Sequence, residues 1–185
     1  MTPTPKPRAV RVLLPLVALF FLPIAGAIAL YFYFPQWIPD SKTNYGELVA
    51  PARPAPAFAE SLKGRWTYVY LVDDGCATDC LAKLAQIRQI RLALNEKRER
   101  VQRVVLAPTD SVAAALAEAL KLDHPDLKVL ADRDNAARGF FAATHSDAVY
   151  LLDPNGNWLM TYPPAAESRG IYKDIKRLLK LSQIG

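Results

Sequence analysis

The feature that most constrains this sequence is a long N-terminal stretch without charge. No charged side chain occurs in the 28 residues between Arg11 and Asp40. The first 23 of them, residues 12–34, are mainly apolar, and as a helix they would span about 34 Å, enough to cross a hydrocarbon core of roughly 30 Å. We therefore predict a transmembrane anchor over residues 12–34.

Basic residues before this segment predict its orientation. Lys6, Arg8 and Arg11 lie in residues 1–11, and positively charged flanks stay in the cytoplasm. We therefore expect residues 1–11 to be cytoplasmic and the rest of the chain to be exported. In a bacterium this describes a single-pass protein of the inner membrane with its domain in the periplasm.

A cleaved signal peptide is the alternative interpretation of the same segment. Small residues suited to cleavage occur at Ala25, Ala27 and Ala29. The apolar run continues beyond them and ends in four aromatic residues at 31–34, which is typical of a membrane interface and favours an uncleaved anchor. Both interpretations place the remaining residues outside the cytoplasm.

The charge distribution argues against a nucleic-acid partner. The chain has a formal net charge of +5, with 23 basic and 18 acidic residues. Three of the basic residues precede the anchor, so residues 40–185 hold 20 basic and 18 acidic residues and a net charge of only +2. Nucleic-acid binding normally requires a concentrated basic surface, and we expect no such partner.

Behind the anchor the sequence divides into a linker and one domain. Residues 35–58 contain five prolines and little periodicity, which predicts an extended, semi-stiff tether. Residues 59–185 form the predicted domain, which is large enough to bury a core without many disulfides or metals.

Hydrophobic periodicity predicts alternating strands and helices in this domain. Strands are expected at 66–72, 101–106, 127–130, 148–152 and 157–162, and helices at 80–97, 111–120, 135–141 and 167–181. The last two strands flank Asp153-Pro154-Asn155-Gly156, a hairpin signal. The order β-α-β-α-β-α-β-β-α predicts a thioredoxin-like α/β sandwich, a central mixed sheet flanked by helices.

The only two cysteines, Cys76 and Cys80, lie between the first predicted strand and the following helix. Within one helical turn their Cα atoms would lie roughly 6 Å apart, which allows a disulfide or a shared metal ion. A helix N-terminus favours the thiolate form. A structural disulfide, a redox pair and a metal site therefore all remain open. A structural zinc site needs four ligands, and the chain has only two cysteines and two histidines to supply them. Copper fits better, because thiolates suit Cu(I) and imidazole suits both copper oxidation states.

Two histidines are available as a nitrogen ligand. His124 precedes Pro125 in a polar turn, so we expect a solvated surface residue. His145 opens the penultimate strand, and in a sandwich of this order its loop lies at the same end of the sheet as the cysteine loop. His145 is thus the candidate that could approach Cys76 and Cys80.

The segments LKGRWTYVYLVDDGCATDC and HSDAVYLLDPNGNWLMTY together resemble the Sco/SenC family of membrane-anchored copper proteins that help to assemble cytochrome c oxidase. The shared features are Gly-Lys/Arg before the first strand, C-x3-C after it, and His-Ser opening a strand followed by an Asp-Pro-x-Gly hairpin. The sequence departs from the family at Leu81, where members usually carry proline. It also lacks their acidic, Pro-containing segment after the second strand.

This resemblance implies that Cys76, Cys80 and His145 bind copper as Cu(I) or Cu(II). It implies a metallochaperone whose client is the oxidase subunit that carries the CuA centre, or another copper or thiol assembly factor. The protein would deliver copper or reduce the receiving cysteines. Asp79, with Asp73 or Asp74, would tune the local charge.

Two alternatives do not need copper. In the first, an enzyme-class hypothesis, the protein is a thiol-disulfide oxidoreductase in which Cys76 attacks and Cys80 resolves. In the second it is a non-catalytic scaffold whose cysteines form a structural disulfide.

Overall fold

The computed structural model describes residues 7–34, 44–73, 75–141 and 147–184, and it forms two compact units, residues 1–42 and 43–185. The first unit contains helix α1 (Pro7–Tyr33). Its segment Val12–Tyr33 has a mean hydropathy of 2.5 and is the one helix of the described chain that is long and apolar enough to cross a membrane. This agrees with the predicted anchor, while its orientation and its membrane stay predictions.

The second unit is built on a six-stranded mixed sheet of order β1-β6-β5-β2-β3-β4. Strands β2, β3 and β4 are parallel, whereas β5 pairs antiparallel with β2, and β6 pairs antiparallel with both β5 and β1. The strands are β1 (Glu47–Pro54), β2 (Trp66–Leu71), β3 (Val101–Ala107), β4 (Leu127–Ala131), β5 (Val149–Leu152) and β6 (Asn157–Tyr162).

Helices cover both faces of this sheet and bury two apolar clusters. Helices α2 (Thr78–Leu92), α3 (Asp110–Leu120) and α5 (Ser168–Leu181) pack in the larger cluster, against Tyr68 and Tyr70 of β2 among others. Helix α4 (Ala136–Phe141) and a 3-10 helix (Ala57–Leu62) pack in the other cluster, with Val69 of β2. The predicted thioredoxin-like sandwich is confirmed, because alternate residues of β2 supply both cores.

The helix predicted over residues 80–97 is shorter than expected. It ends at Leu92, and a separate 3-10 helix follows at Asn95–Arg100. Asn95 adopts a φ of 50°, a left-handed conformation that asparagine tolerates better than most residues and that interrupts the helix. A further 3-10 turn (Arg133–Asn135) precedes α4.

The hairpin between β5 and β6 forms at the predicted position. Asp153 accepts hydrogen bonds through Oδ1 from the backbone N–H groups of Asn155 at 2.9 Å and Asn157 at 2.8 Å. Of the Asn-Gly pair only Gly156 adopts positive φ, at 88°. The short polar side chain of Asp153 therefore stabilises the turn together with the glycine.

The tether predicted over residues 35–58 is wrong for its second half. Residues 47–54 form β1, which pairs with β6 from Glu47 opposite Thr161 to Pro54 opposite Asn157. The two prolines of β1 fit an edge strand, where outward backbone groups need no partner within the sheet. Residues 35–43 lie outside the described residues.

Just before β1 the chain is held against α5 by a contact that we call the Asp174 latch, formed by Tyr45, Gly46, Gly170 and Asp174. The Asp174 carboxylate is buried, and it accepts hydrogen bonds from the backbone N–H groups of Tyr45 and Gly46, both at 2.9 Å. Both glycines permit close approach: a Cβ on Gly46 would lie 2.5 Å from the Tyr162 ring, and one on Gly170 would lie 2.8 Å from Tyr45 Cβ.

Replacing Asp174 by alanine is expected to destabilise the domain by about 2 kcal/mol or more, because two backbone N–H groups lose their acceptor. Thermal unfolding of the full chain in detergent measures this change. Arg169→Ala, an exposed change on the same helix, is the control and should alter the stability by less than about 0.5 kcal/mol. Equal unfolding temperatures for Asp174→Ala and wild type would contradict the structural role of the latch.

Candidate functional site

The two cysteines lie where the chain leaves the sheet and enters α2. The backbone N–H of Val72 still bonds Leu106 O at 3.0 Å, and α2 then begins at Thr78. Cys76 and Cys80 are joined by a disulfide with a Cα–Cα distance of 5.1 Å. Cys76 is half-buried, whereas Cys80 is 8% exposed and packs into the larger core. The sulfur of Cys76 is therefore the more accessible to an incoming thiol.

The first turn of α2 is electrostatically suited to thiolate chemistry. Ala77 occupies the N-cap position and provides no side-chain hydrogen bond to the helix. The N-terminal N–H groups of α2 thus keep their partial positive charge next to the cysteines. Leu81 takes the position where proline is usual in the Sco/SenC family, and its N–H bonds Ala77 O at 2.9 Å, a contact that proline could not make.

The acidic residues predicted to tune the site differ in their surroundings. Asp79 is exposed in the first turn of α2, Asp73 forms an ion pair with Arg138, and Asp74 lies outside the described residues. Their effect on the cysteines stays a prediction. Charge from Asp79 and Asp73 does act on Tyr70: burial first, then Asp147, then these two residues raise its pKa to about 12.

Tyr70 and Arg138 are site residues that sequence reasoning missed. The Tyr70 hydroxyl, at the end of β2, donates to Asp147 Oδ1 at 3.4 Å. Arg138 of α4 donates to Val72 O and to the Asp73 carboxylate. Asp132 positions Arg138 by accepting hydrogen bonds from the backbone N–H groups of Ala137 at 2.7 Å and Arg138 at 2.9 Å. No local sequence pattern predicts these long-range contacts, because the partners are far apart in the sequence.

Through these contacts Arg138 and Asp147, which precede and follow residues 142–146 in the sequence, lie at the end of β2 that leads to the cysteines. His145 belongs to this segment and lies outside the described residues. Asp147, two residues later, is described and is held by Tyr70. The ligand role of His145 stays a prediction.

His124 is buried, so the expectation of a solvated surface residue is wrong. It is 7% exposed, and its Nδ1 lies 3.4 Å from Arg103 Nη1. Burial, followed by the charges of Arg103 and Arg88, lowers its pKa. His124 precedes β4, whereas the cysteine loop follows the parallel strand β2, so the two lie at opposite ends of the sheet. His124 is therefore not placed to join the cysteines in a metal site.

The donor chemistry of the site can be compared with copper. Among the described residues, no group of three His, Cys, Asp or Glu side chains is arranged to hold a metal ion. Both sulfurs are committed to the disulfide, so only the reduced protein offers thiolates. Two thiolates suit Cu(I), and a nitrogen donor from another segment would make the site suitable for Cu(II) as well. Reduced Cys76 and Cys80 fit copper as cargo, and the disulfide does not.

A cleft of about 540 Å³ adjoins the Tyr70–Asp147 contact and runs along α2. Asp79 and Gln86 line it, and Lys83 closes one side by donating a 2.7 Å hydrogen bond to Pro164 O. Burial lowers the pKa of Lys83. The cleft offers space for a polypeptide segment on the helix that carries the cysteines.

Comparison with solved structures reveals the same fold in distant proteins. Copper-bound yeast Sco1 superposes with a TM-score of 0.55 at 17% identity, covering 66% of this chain and 80% of that one. A putative thioredoxin from Neisseria meningitidis gives 0.53 at 18% identity, covering 76% and 93%. BsSco, described as a Sco-family cytochrome c oxidase assembly protein with a disulfide switch, gives 0.50 at 19% identity, covering 66% and 85%.

These likenesses confirm the predicted resemblance to Sco proteins at the level of the fold. A search of curated proteins finds no matching sequence. A family model, the transmembrane-like, thioredoxin-like C-terminal domain, matches residues 66–182, which is more than half of the chain. The protein therefore belongs to this transmembrane-like, thioredoxin-like family.

Proposed function

We propose that this protein binds copper through Cys76, Cys80 and His145 and assists the maturation of the CuA centre of cytochrome c oxidase. It would act as a copper chaperone or as a reductant of the receiving cysteines. The observation that carries the proposal is the pair of sulfurs within one turn at the start of α2. They lie at the end of β2 where Tyr70 contacts Asp147, two residues after His145 in the sequence, and where Arg138 bonds Val72 O.

Similar proteins support this choice of cargo and client. Yeast Sco1, which has the same fold, has been solved with copper bound, and BsSco belongs to a family of oxidase assembly proteins. The motif order from the cysteines to the Asp153 hairpin is also that of the Sco/SenC family. We propose that α1 anchors the protein in the inner membrane, with the domain in the periplasm close to a membrane-bound client.

Copper binding requires prior reduction of the disulfide. A dithiol of another protein would supply two electrons and two protons, and would itself become a disulfide, leaving Cys76 and Cys80 as thiols. The N-terminus of α2 then favours loss of the thiol protons on copper binding. His145 would supply the nitrogen donor that makes the site suitable for both copper oxidation states.

Replacing His145 by alanine is expected to weaken Cu(II) binding to the reduced protein by more than about 100-fold, because even the loss of an outer-shell partner costs 10- to 100-fold. Anaerobic titration of the full chain against a competing chelator measures the affinity.

His124→Gln is the matched control, since the other histidine is buried at the opposite end of the sheet. It should leave the copper affinity unchanged. Equal affinities for His145→Ala and wild type would remove His145 from the site.

A thiol-disulfide oxidoreductase is the second candidate, favoured by the greater exposure of Cys76. Its thiolate would attack a client disulfide, release one client thiolate and form a mixed disulfide. Cys80 would then resolve the mixed disulfide, leaving the Cys76–Cys80 disulfide and two client thiols.

The variant Cys80→Ser should accumulate this mixed disulfide with a CuA-domain client, because the resolving thiol is absent. Non-reducing gels followed by mass spectrometry would identify a bond at Cys76. Cys76→Ser is the control and should trap no client. If Cys80→Ser also traps none while reduced wild type binds copper, the protein delivers metal rather than electrons.

A further inference from the structure

We propose that the exposed basic face of α5 binds the anionic phospholipid headgroups of the membrane that holds α1. This basic face consists of Arg169, Lys173, Lys176, Arg177 and Lys180. The proposal concerns a surface away from the cysteine pair and does not depend on copper.

The basic face is concentrated on one side of the helix. Its members recur at spacings of three and four residues and are all exposed, whereas Ile171, Ile175 and Leu179 point into the core. The only acidic residue within α5, Asp174, is buried in the latch and bonds backbone N–H groups. The single carboxylate of the helix is therefore 3% exposed and bonded to backbone N–H groups, whereas all five basic side chains are exposed.

The lysines of this face lack acidic partners in the part of the chain that the structure describes. Lys173, Lys176 and Lys180 form none of the ion pairs found there. Lys173 instead donates a 2.9 Å hydrogen bond to the Tyr45 hydroxyl and lies 5.0 Å from its ring centroid. Lys176 lies 5.4 Å from the ring centroid of Tyr172. Their charges remain available to an anionic partner.

These contacts also connect the basic face to the segment that follows the anchor. Tyr45 joins Lys173, Lys176, Arg177 and Lys180 in lining a groove of about 510 Å³, which the buried Asp174 also borders. The chain from Phe34 to Tyr45 advances by eleven residues, and it can span at most about 40 Å in any conformation. A membrane that holds α1 is therefore within reach of the groove.

The chemistry of this surface suits a phospholipid interface. Lysine ammonium groups bind phosphate as flexible point charges, and clusters of four or more basic residues on an amphipathic helix attract anionic lipid. At the end of α5, Leu181 is 75% exposed and Ile184 is 56% exposed. The apolar face of α5 packs in the domain core, so these two exposed side chains are the apolar groups that would enter the headgroup region beside the basic face.

Lysine labelling of the full chain in lipid nanodiscs tests the proposal. One set of discs contains only phosphatidylcholine, and the other also contains phosphatidylglycerol. Amine-reactive labelling of Lys173, Lys176 and Lys180, followed by mass spectrometry, should be at least about threefold slower in the anionic discs. About 1 M salt, where the Debye length is about 3 Å, should abolish the difference. Lys97, an exposed lysine outside α5, should label equally in both.

A charge-reversal pair distinguishes specific binding from general attraction. In Lys176→Glu/Lys180→Glu, Lys173 should label at the same rate in both lipids. The matched control Lys97→Glu/Lys121→Glu makes the same change of charge at exposed positions outside α5 and should preserve the protection of Lys173. Equal labelling of wild type in both lipids would overturn the proposal. Protection that appears only after an acidic client protein is added would overturn it in favour of a protein partner.

Discussion

The double variant Cys76→Ser/Cys80→Ser is expected to bind Cu(I) at least about a thousandfold more weakly than reduced wild type, a loss of about 4 kcal/mol of binding free energy. Thiolate sulfur is the donor that Cu(I) prefers, and a serine hydroxyl does not replace it. Anaerobic competition with a Cu(I)-specific chelator measures the difference on the full chain.

Reduced wild type is the proper reference, because the Cys76–Cys80 disulfide is then absent from both the wild type and the double variant. In oxidised wild type the short loop closed by the disulfide adds about 2 kcal/mol of stability at most, so both proteins should fold. If the double variant binds Cu(I) as tightly as reduced wild type, copper is held elsewhere. If neither protein binds it while wild type reduces a CuA-domain disulfide, the thiol function stands alone. If cells that contain normal amounts of the double variant still assemble cytochrome c oxidase fully, the scaffold alternative is supported instead.

Replacing Asp126 by alanine is expected to cost about 3–5 kcal/mol of folding stability, because it leaves a buried guanidinium without its carboxylate. Arg103 has 2% side-chain exposure and binds Asp126 through Nη2–Oδ1 at 2.6 Å and Nε–Oδ2 at 3.0 Å. Arg91 adds a second ion pair at 3.3 Å. After truncation Arg103 keeps Leu84 O at 3.1 Å and the neighbouring His124 ring.

Chemical denaturation of the full chain in detergent measures the effect. Glu118→Ala is the control, because it removes an exposed ion pair to Lys121 and should change stability by less than about 0.5 kcal/mol. A loss below about 1 kcal/mol for Asp126→Ala would show that water replaces the carboxylate.

The same ion pair predicts an acid-sensitive fold. Burial alone would raise the pKa of Asp126, but its hydrogen bond to Arg103 and the charges of Arg103 and Arg91 outweigh burial and lower it. The pKa of Asp126 is therefore lower in the folded protein than in the unfolded chain. The ion pair contributes its full stability above about pH 4, the usual aspartate range, and this stability is lost as the pH falls through the folded-state pKa. Asp126→Asn should flatten this acid limb, whereas a profile that stays as steep as that of wild type would contradict it.

Much of the fold was predictable because its signals are local. The buried strand at Trp66, the hairpin at Asp153 and the amphipathic α5 each have a sequence pattern that matches their environment. β1 was missed because only Val49 of its eight residues is even half-buried, so no alternation of apolar and polar residues marks it. Its prolines also resemble those of a linker.

The site was predictable only in part. The spacing of Cys76 and Cys80 at a helix start indicated a possible disulfide, and the structure contains one. Tyr70 was not predictable as a site residue because its partner, Asp147, lies 77 residues away. His124 was mistaken for a surface residue because its burial depends on Arg103, which precedes it by 21 residues in β3.

The edge strand β1 also determines how the domain resists self-association. It covers β6, which would otherwise present the unpaired backbone groups of a largely buried strand to solvent. A shortened chain that starts at residue 59, the predicted domain boundary, would remove β1 together with the Tyr45–Gly46 part of the latch. Such a fragment would expose the unpaired backbone groups of β6, and strands from other copies could pair with them. A soluble form therefore has to begin no later than residue 44.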